Sequence, residues 1–131
     1  MTQVVAAILE RDGEILICQR KPDGAHPLKW EFPGGKVEAG EIPEQALARE
    51  LQEELAIRAM AGTEIARYEY AYPGRTPILL SFYSVREFNG EPRNLAFHAM
   101  CWASVERLSE HDFLEGDREI LRILSGRDAP G

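Results

Sequence analysis

The sequence predicts an α+β fold in which a mixed β-sheet is sandwiched between helices. Two observations carry that expectation: strand-like segments lie on both sides of one helical segment, and a second helical segment closes the chain. A third is length, since 131 residues leave room for one domain with one core and little beyond it. The domain is expected over residues 1–125, with 126–131 as a disordered tail.

Val4 to Glu10 and Glu14 to Arg20 are apolar runs joined across Asp12-Gly13, which reads as a β-hairpin. Lys21 to Lys29, with Pro22, Gly24 and Pro27, is a loop, and Trp30-Glu31-Phe32 is short and extended. Pro33-Gly34-Gly35 is expected to interrupt regular structure. Pro43 suits a first helical position, so a helix is expected from there to about Leu55, with Ala48, Leu51 and Leu55 as its core stripe. Ile42, in the capping position, offers no side-chain acceptor, which costs that helix start about 1 kcal/mol relative to Thr. Tyr68, Tyr70 and Tyr72 alternate along a strand ending at Pro73-Gly74. Ile78 to Phe88 reads as a second long strand, turned at Asn89-Gly90, and Ala99 to Val105 as another. Gly116 to Leu124 is the closing helix.

Apolar residues make up 44 % and charged residues 28 %, ordinary values for a soluble globular chain. The net charge of −7 and the lack of any Lys/Arg-rich run argue against a nucleic-acid polymer as partner. A small anionic ligand stays open, because a bound metal reverses the local field. Cys18 and Cys101 stand apart from each other and from any His cluster, so they read as small apolar filler rather than a disulfide or zinc site. The N-terminus lacks a basic n-region and no stretch is long enough for a membrane span, so the expected location is the cytoplasm. A monomer and a homodimer are equally open.

The chemistry is concentrated between Gly35 and Ile57. Glu50, Glu53 and Glu54 stand at i, i+3, i+4 on the first helix, so their side chains converge on one face behind a Gly-Gly turn. Like charges so placed oppose helix formation unless something offsets them. A hard divalent cation such as Mg2+ takes carboxylate oxygens and keeps waters for substrate phosphates. Taken alone, such a face is also what a solvated helix shows.

The pattern Gly35-x5-Glu41-x7-Arg49-Glu50-Leu51-x-Glu53-Glu54-x-Ala56-Ile57 resembles the Nudix box at eight of nine positions. The departure is Ala56, where the family has the glycine that ends the helix. Glu31-Phe-Pro-Gly-Gly-Lys-Val-Glu38, Gln19-Arg20 and Asp112-Phe113 are similar to the MutT-like branch. The resemblance implies a Nudix α/β/α sandwich and an Mg2+-dependent enzyme, with Mn2+ as a possible substitute. Its reaction would be nucleoside triphosphate plus water to nucleoside monophosphate and pyrophosphate, with 8-oxo-dGTP-like substrates or CTP and dCTP both open. Other implied readings are a hydrolase of dinucleoside polyphosphates or ADP-ribose, and a nucleotide-sensing module without turnover.

By the same resemblance Glu50, Glu53, Glu54 and the Gly34 carbonyl would hold the metal. Glu50 or another box carboxylate would accept the proton of the attacking water, and Arg49 would orient a carboxylate. Glu41 would be either a distant ligand or the partner of Arg49. Arg20 would reach substrate phosphates, and Phe32 and Tyr72 would either wall a base pocket or belong to the core. Asp117 stands where the branch reads the base edge. As an ionised acceptor it would favour an edge presenting N–H donors, and as a first-turn residue it would complement the helix dipole. Relatives carry a further Glu in the loop before Trp102. Local alignment puts His98 there, where a neutral imidazole can bind metal or accept a proton.

Overall fold

The computed structural model describes residues 1–127. Strands Thr2–Arg11 (β1) and Glu14–Gln19 (β2) form the expected hairpin, turned by Asp12 and Gly13 at φ 54° and 78°, the positive pair that a two-residue turn needs. Trp30–Glu31 (β3) and Gly34–Lys36 (β4) come next, then helix Pro43–Leu55 (α1). Arg58–Met60 (β5), Glu64–Tyr70 (β6), Ile78–Val85 (β7), Glu87–Asn89 (β8) and Ala99–Ala103 (β9) follow. Two 3-10 stretches, Val105–Glu110 and Glu115–Asp117, lead into helix Arg118–Arg127 (α2).

The main sheet runs β3-β2-β1-β7-β6, with β4 on β1 and β9 on β2. It is mixed, because β1 and β7 are parallel from Thr2↔Ile78 to Leu9↔Val85 while the other pairs are antiparallel. The hairpin pairing lasts only for Glu10↔Ile15 and Arg11↔Glu14. Beyond it β1 serves β7 and β4, while β2 serves β9 and β3, and a wedge opens between the two halves.

The continuous apolar run of β1 suits a strand covered on both faces. Val5, Ala7 and Leu9 pack with Leu47, Leu51 and Leu55 under α1. Ala6 and Ile8 face the other way, toward Phe82, Ile120 and Leu124 under α2. The layers are therefore helix, sheet, helix, as expected. Among the described residues no helix is long and apolar enough to cross a membrane.

Several local readings change. Gly34-Gly35 does not break the sheet but continues it, pairing Ala6↔Gly34 and Val5↔Gly35. A Cβ on Gly34 would lie 2.7 Å from the Cα of Ala6, so only glycine lets the two backbones approach this closely. The long strand from Ile78 stops at Val85, and the chain re-enters as β8 against β5, a small sheet with no periodic signal of its own. Tyr72 lies past the end of β6, and β9 ends at Ala103. The buried stripe of α1 is Ala46, Leu47, Leu51 and Leu55, with Ala48 only half-buried. α2 runs to Arg127, past the start of the expected tail; residues 128–131 lie outside the described residues.

The ends of α1 show how missing signals are replaced. Ile42 has no capping side chain, but Gln45 Oε1 accepts the Ile42 N–H at 3.1 Å, supplying one half of a capping box. At the other end Ala56 takes the left-handed conformation (φ 58°, ψ 35°) and donates its N–H to Gln52 O at 3.0 Å. A Cβ is disfavoured there, and Ala56 is exposed. Ala56→Gly is thus expected to stabilise the fold by about 1 kcal/mol, read as a higher urea midpoint with an unchanged m value.

Candidate active site

The carboxylates of α1 face the glycine strand β4. Gly34 N–H donates to Glu54 Oε1 at 3.0 Å. A Cβ on Gly35 would stand 2.6 Å from both Glu50 carboxylate oxygens, so the second glycine makes room for that side chain. Gly35→Ala should leave the fold intact, since the far end of a flexible side chain can shift. It should displace Glu50, which the resemblance makes catalytic, and so lower kcat by roughly 10²-fold, as moving a catalytic group by about 1 Å does. An assay beside a thermal melt checks both halves.

Arg49 is the hub of the acidic face. Its Nε and Nη2 donate to the two oxygens of Glu41 at 2.8 and 3.0 Å, a bidentate pair. Nη1 donates to Glu50 Oε1 at 2.9 Å and lies 3.4 Å from Glu53 Oε2, and Nη2 also reaches Lys36 O at 3.1 Å. Hydrogen bonds from Arg49, then from the Glu38 N–H, hold the Glu41 carboxyl down to about 2. Of the two roles open for Glu41, the geometry is that of the Arg49 partner.

Glu54 is the opposite case. Burial, then the charge of Glu50, pushes its carboxyl up to about 8, opposed by the Gly34 hydrogen bond. Burial also raises Glu50, against the pull of Arg49. Glu53 stays largely in solvent.

Beside Glu54 opens a cleft of ≈ 230 Å³ lined by Arg20, Glu31, Glu54, Ala96 and Phe97, among others. Arg20 Nη1 donates to Glu31 Oε1 at 2.9 Å and its Nε to Ala25 O at 2.8 Å. Burial raises the Glu31 carboxyl in spite of that partner. A hollow of ≈ 760 Å³ opens elsewhere, between Met60, Ser84 and Ile123. Among the described residues lining it, Arg86 and Glu87 alone carry charge, whereas the smaller cleft gathers Arg20, Glu31 and Glu54.

Asp117 is buried, at 6 % exposure. Its carboxyl is pushed up to about 8 by burial and by Glu31, opposed by Arg20. A carboxyl raised this far favours its protonated form near neutral pH, which offers a donor beside an acceptor where the sequence reading takes an ionised acceptor. Tyr68 O–H donates to Gly116 O at 2.7 Å, and Gly116 N–H donates to the Tyr72 hydroxyl at 3.2 Å, so both rings abut the start of α2. The half-buried ring of Tyr72 stands 4.6 Å from that of His26.

Arg49, Glu50, Glu54 and Gly34 are brought together, with Arg20 across the cleft and Asp117 and Tyr72 beyond it. Two candidates are not. Phe32 is 3 % exposed and packs against Phe113 and Phe82 at 5.2 and 6.3 Å, so it belongs to the core and does not wall a base pocket. His98 is exposed, and its N–H donates to Gln19 O at 2.9 Å. The loop residues that line the cleft are Ala96 and Phe97, and His98 stands outside that lining. Glu31 was missed; its signal was an acid set between Trp30 and Phe32 in a strand leading into Pro-Gly-Gly. Among the described residues no three acids, imidazoles or thiols stand close enough together to hold an ion as they are. Glu54 and Glu50 nonetheless crowd two carboxyls against the glycine strand, and oxygen donors of this kind suit a hard cation.

A three-layer fold that packs such acids against a glycine strand, beside a cleft lined by Arg20, is the arrangement of a hydrolase site. The chain belongs to the Nudix family: the family model described as NUDIX domain matches residues 1–124. It is 40 % identical over 124 residues to a CTP pyrophosphohydrolase of Escherichia coli, covering 95 % of this chain and 91 % of the relative. It is 38 % identical to the 8-oxo-dGTP diphosphatase of the same organism, covering 92 % of each. The crystal structure of a MutT Nudix hydrolase from Burkholderia pseudomallei superposes with a TM-score of 0.84 at 28 % identity, covering 92 % of this chain and 95 % of that one. The protein is a Nudix hydrolase.

Proposed function

We propose that this chain is a divalent-cation-dependent nucleoside triphosphate pyrophosphohydrolase. Water attacks phosphorus, one phosphoanhydride bond breaks, and a nucleoside monophosphate and pyrophosphate leave. The observation that carries this reading is Glu54, a half-buried acid beside Glu50 and the Gly34 backbone that accepts no arginine hydrogen bond among the described residues. Glu50, Glu53, Glu54 and the Gly34 carbonyl are the groups that would hold Mg2+. When bound, such a cation makes water more acidic and draws charge from the phosphoryl oxygens.

The chain's own side chains do the rest. Arg49 keeps Glu41 and Glu50 ordered through four short hydrogen bonds to side chains and backbone. Glu50, with its raised carboxyl, accepts the proton released by water. Arg20 presents a fixed guanidinium to the phosphates.

Asp117 supports a class of base. A neutral acid matches an edge that offers one donor beside one acceptor. Cytosine does so with its amino group and N3, and 8-oxoguanine with N7–H and O6. Guanine offers two acceptors at N7 and O6, so on that edge the acid distinguishes 8-oxoguanine from guanine. CTP-like and 8-oxo-dGTP-like substrates both suit it, in keeping with what the two E. coli relatives are named for. The test is pyrophosphate and phosphate release from a panel of normal and oxidised nucleoside triphosphates, in Mg2+ and in EDTA. Pyrophosphate that appears only with the metal, and faster from CTP or 8-oxo-dGTP than from dGTP, is expected. No metal-dependent pyrophosphate from any member would overturn the reading.

A further inference from the structure

Glu31 has no role in the reaction as drawn above, yet it is a largely buried charge in the wall of the cleft. Its Oε1 accepts from Arg20 Nη1 at 2.9 Å, while Arg20 Nε donates to Ala25 O at 2.8 Å. The guanidinium is thus tied at two points. Glu54 lines the same ≈ 230 Å³ cleft as Arg20 and Glu31. Glu54 accepts from Gly34 N–H, which leaves other acceptor positions on its carboxylate open. A guanidinium pairs with a carboxylate in bidentate fashion, so a released Arg20 would find in Glu54 the partner it loses in Glu31. It would then sit on the oxygens that a divalent cation needs.

We propose that Glu31 is a positioning residue that holds Arg20 away from Glu54, leaving Glu54 available to a divalent cation while Arg20 stays aimed into the cleft. The inference rests on the cation-dependent reading of the site, and two readouts separate their failures.

The first is a double-mutant cycle on Mn2+ affinity, followed by the electron paramagnetic resonance of free Mn2+, in wild type, Glu31→Gln, Arg20→Gln and the double variant. With Arg20 present, Glu31→Gln is expected to weaken Mn2+ binding about tenfold; in the Arg20→Gln background it should weaken it no more than about twofold. Equal factors in both backgrounds would mean that Glu31 acts only through its charge, and the proposal fails. The second readout needs no metal: the Nε–H resonance of Arg20 in 15N spectra. Glu54→Gln alone should leave it in place. Glu31→Gln should move it, and adding Glu54→Gln to Glu31→Gln should move it again. If the Arg20 signal ignores Glu54 even when Glu31 is gone, the proposal is wrong whatever the site binds. If wild type binds no Mn2+, the cation-dependent function fails and the resonance alone decides the role of Glu31.

Discussion

Glu54→Gln is expected to lower kcat on the order of 10³-fold while leaving the metal-free protein as stable at pH 8 as wild type, or more so. The two effects have one cause. Glutamine keeps the size of the side chain and an oxygen to accept the Gly34 N–H now held at 3.0 Å. It removes a charge that burial and Glu50 make costly, as the shift to about 8 records. What stability gains, the site loses, because an amide is a poor ligand for a hard divalent cation. Pyrophosphate release and a thermal melt in EDTA, run on the same preparation, check both halves. A variant that keeps its activity, or one that melts far earlier, would make Glu54 a structural acid and not a ligand.

The second large effect is the response of the metal-free protein to pH. Folded Glu54 and Asp117 keep their protons to about 8, whereas ordinary Glu and Asp release them near 4.5 and 3.8. Between those limits the folded chain binds more protons than the unfolded one, so raising the pH favours unfolding. Their stabilising contribution is whole below the unfolded values and is lost as pH rises through about 8. Glu41 runs the other way. Held at about 2, it contributes above 4.5 and is lost as the pH falls toward 2. In EDTA the melting temperature should therefore peak at roughly pH 5 and fall by several degrees toward pH 9. On the proposed function a divalent cation would replace the proton at Glu54, so Mg2+ should raise the melting temperature more at pH 9 than at pH 6. A flat profile in EDTA would contradict the burial of these two acids.

The legible parts of this protein are those written in local spacing. Glu50, Glu53 and Glu54 at one helical interval, Pro43 at the helix start and the Asp12-Gly13 turn all became the structures their neighbours in sequence dictate. Arg49 and Glu41 are eight residues apart and still within local reach, and they pair at 2.8 Å. Trouble begins where two distant segments must meet. Gly34-Gly35 looks like a break until β1 is laid against it, because a glycine that ends a strand and one that admits a close backbone are the same letter. Phe32 looked free to meet a base because nothing near it in sequence shows that Phe82 and Phe113 surround it. His98 was placed by counting across a loop, and a loop without periodicity carries no register.

The sequence by itself determined the class of element at most positions, the bounds of α1, the acidic face and the family to which it belongs. Tertiary structure alone decided which acids are charged. Glu41 and Glu54 are the same residue type on one face of the molecule, yet one is held at about 2 and the other pushed to about 8. The difference comes from an arginine beside the first and from burial around the second. Asp117 likewise becomes a donor as well as an acceptor only because the segment before α2 is bridged to β3 at Trp30↔Phe113, with Glu31 near enough to raise it and burial keeping water away. Proton affinity depends on solvent and on charges gathered from remote segments, and periodicity along the chain does not encode those distances.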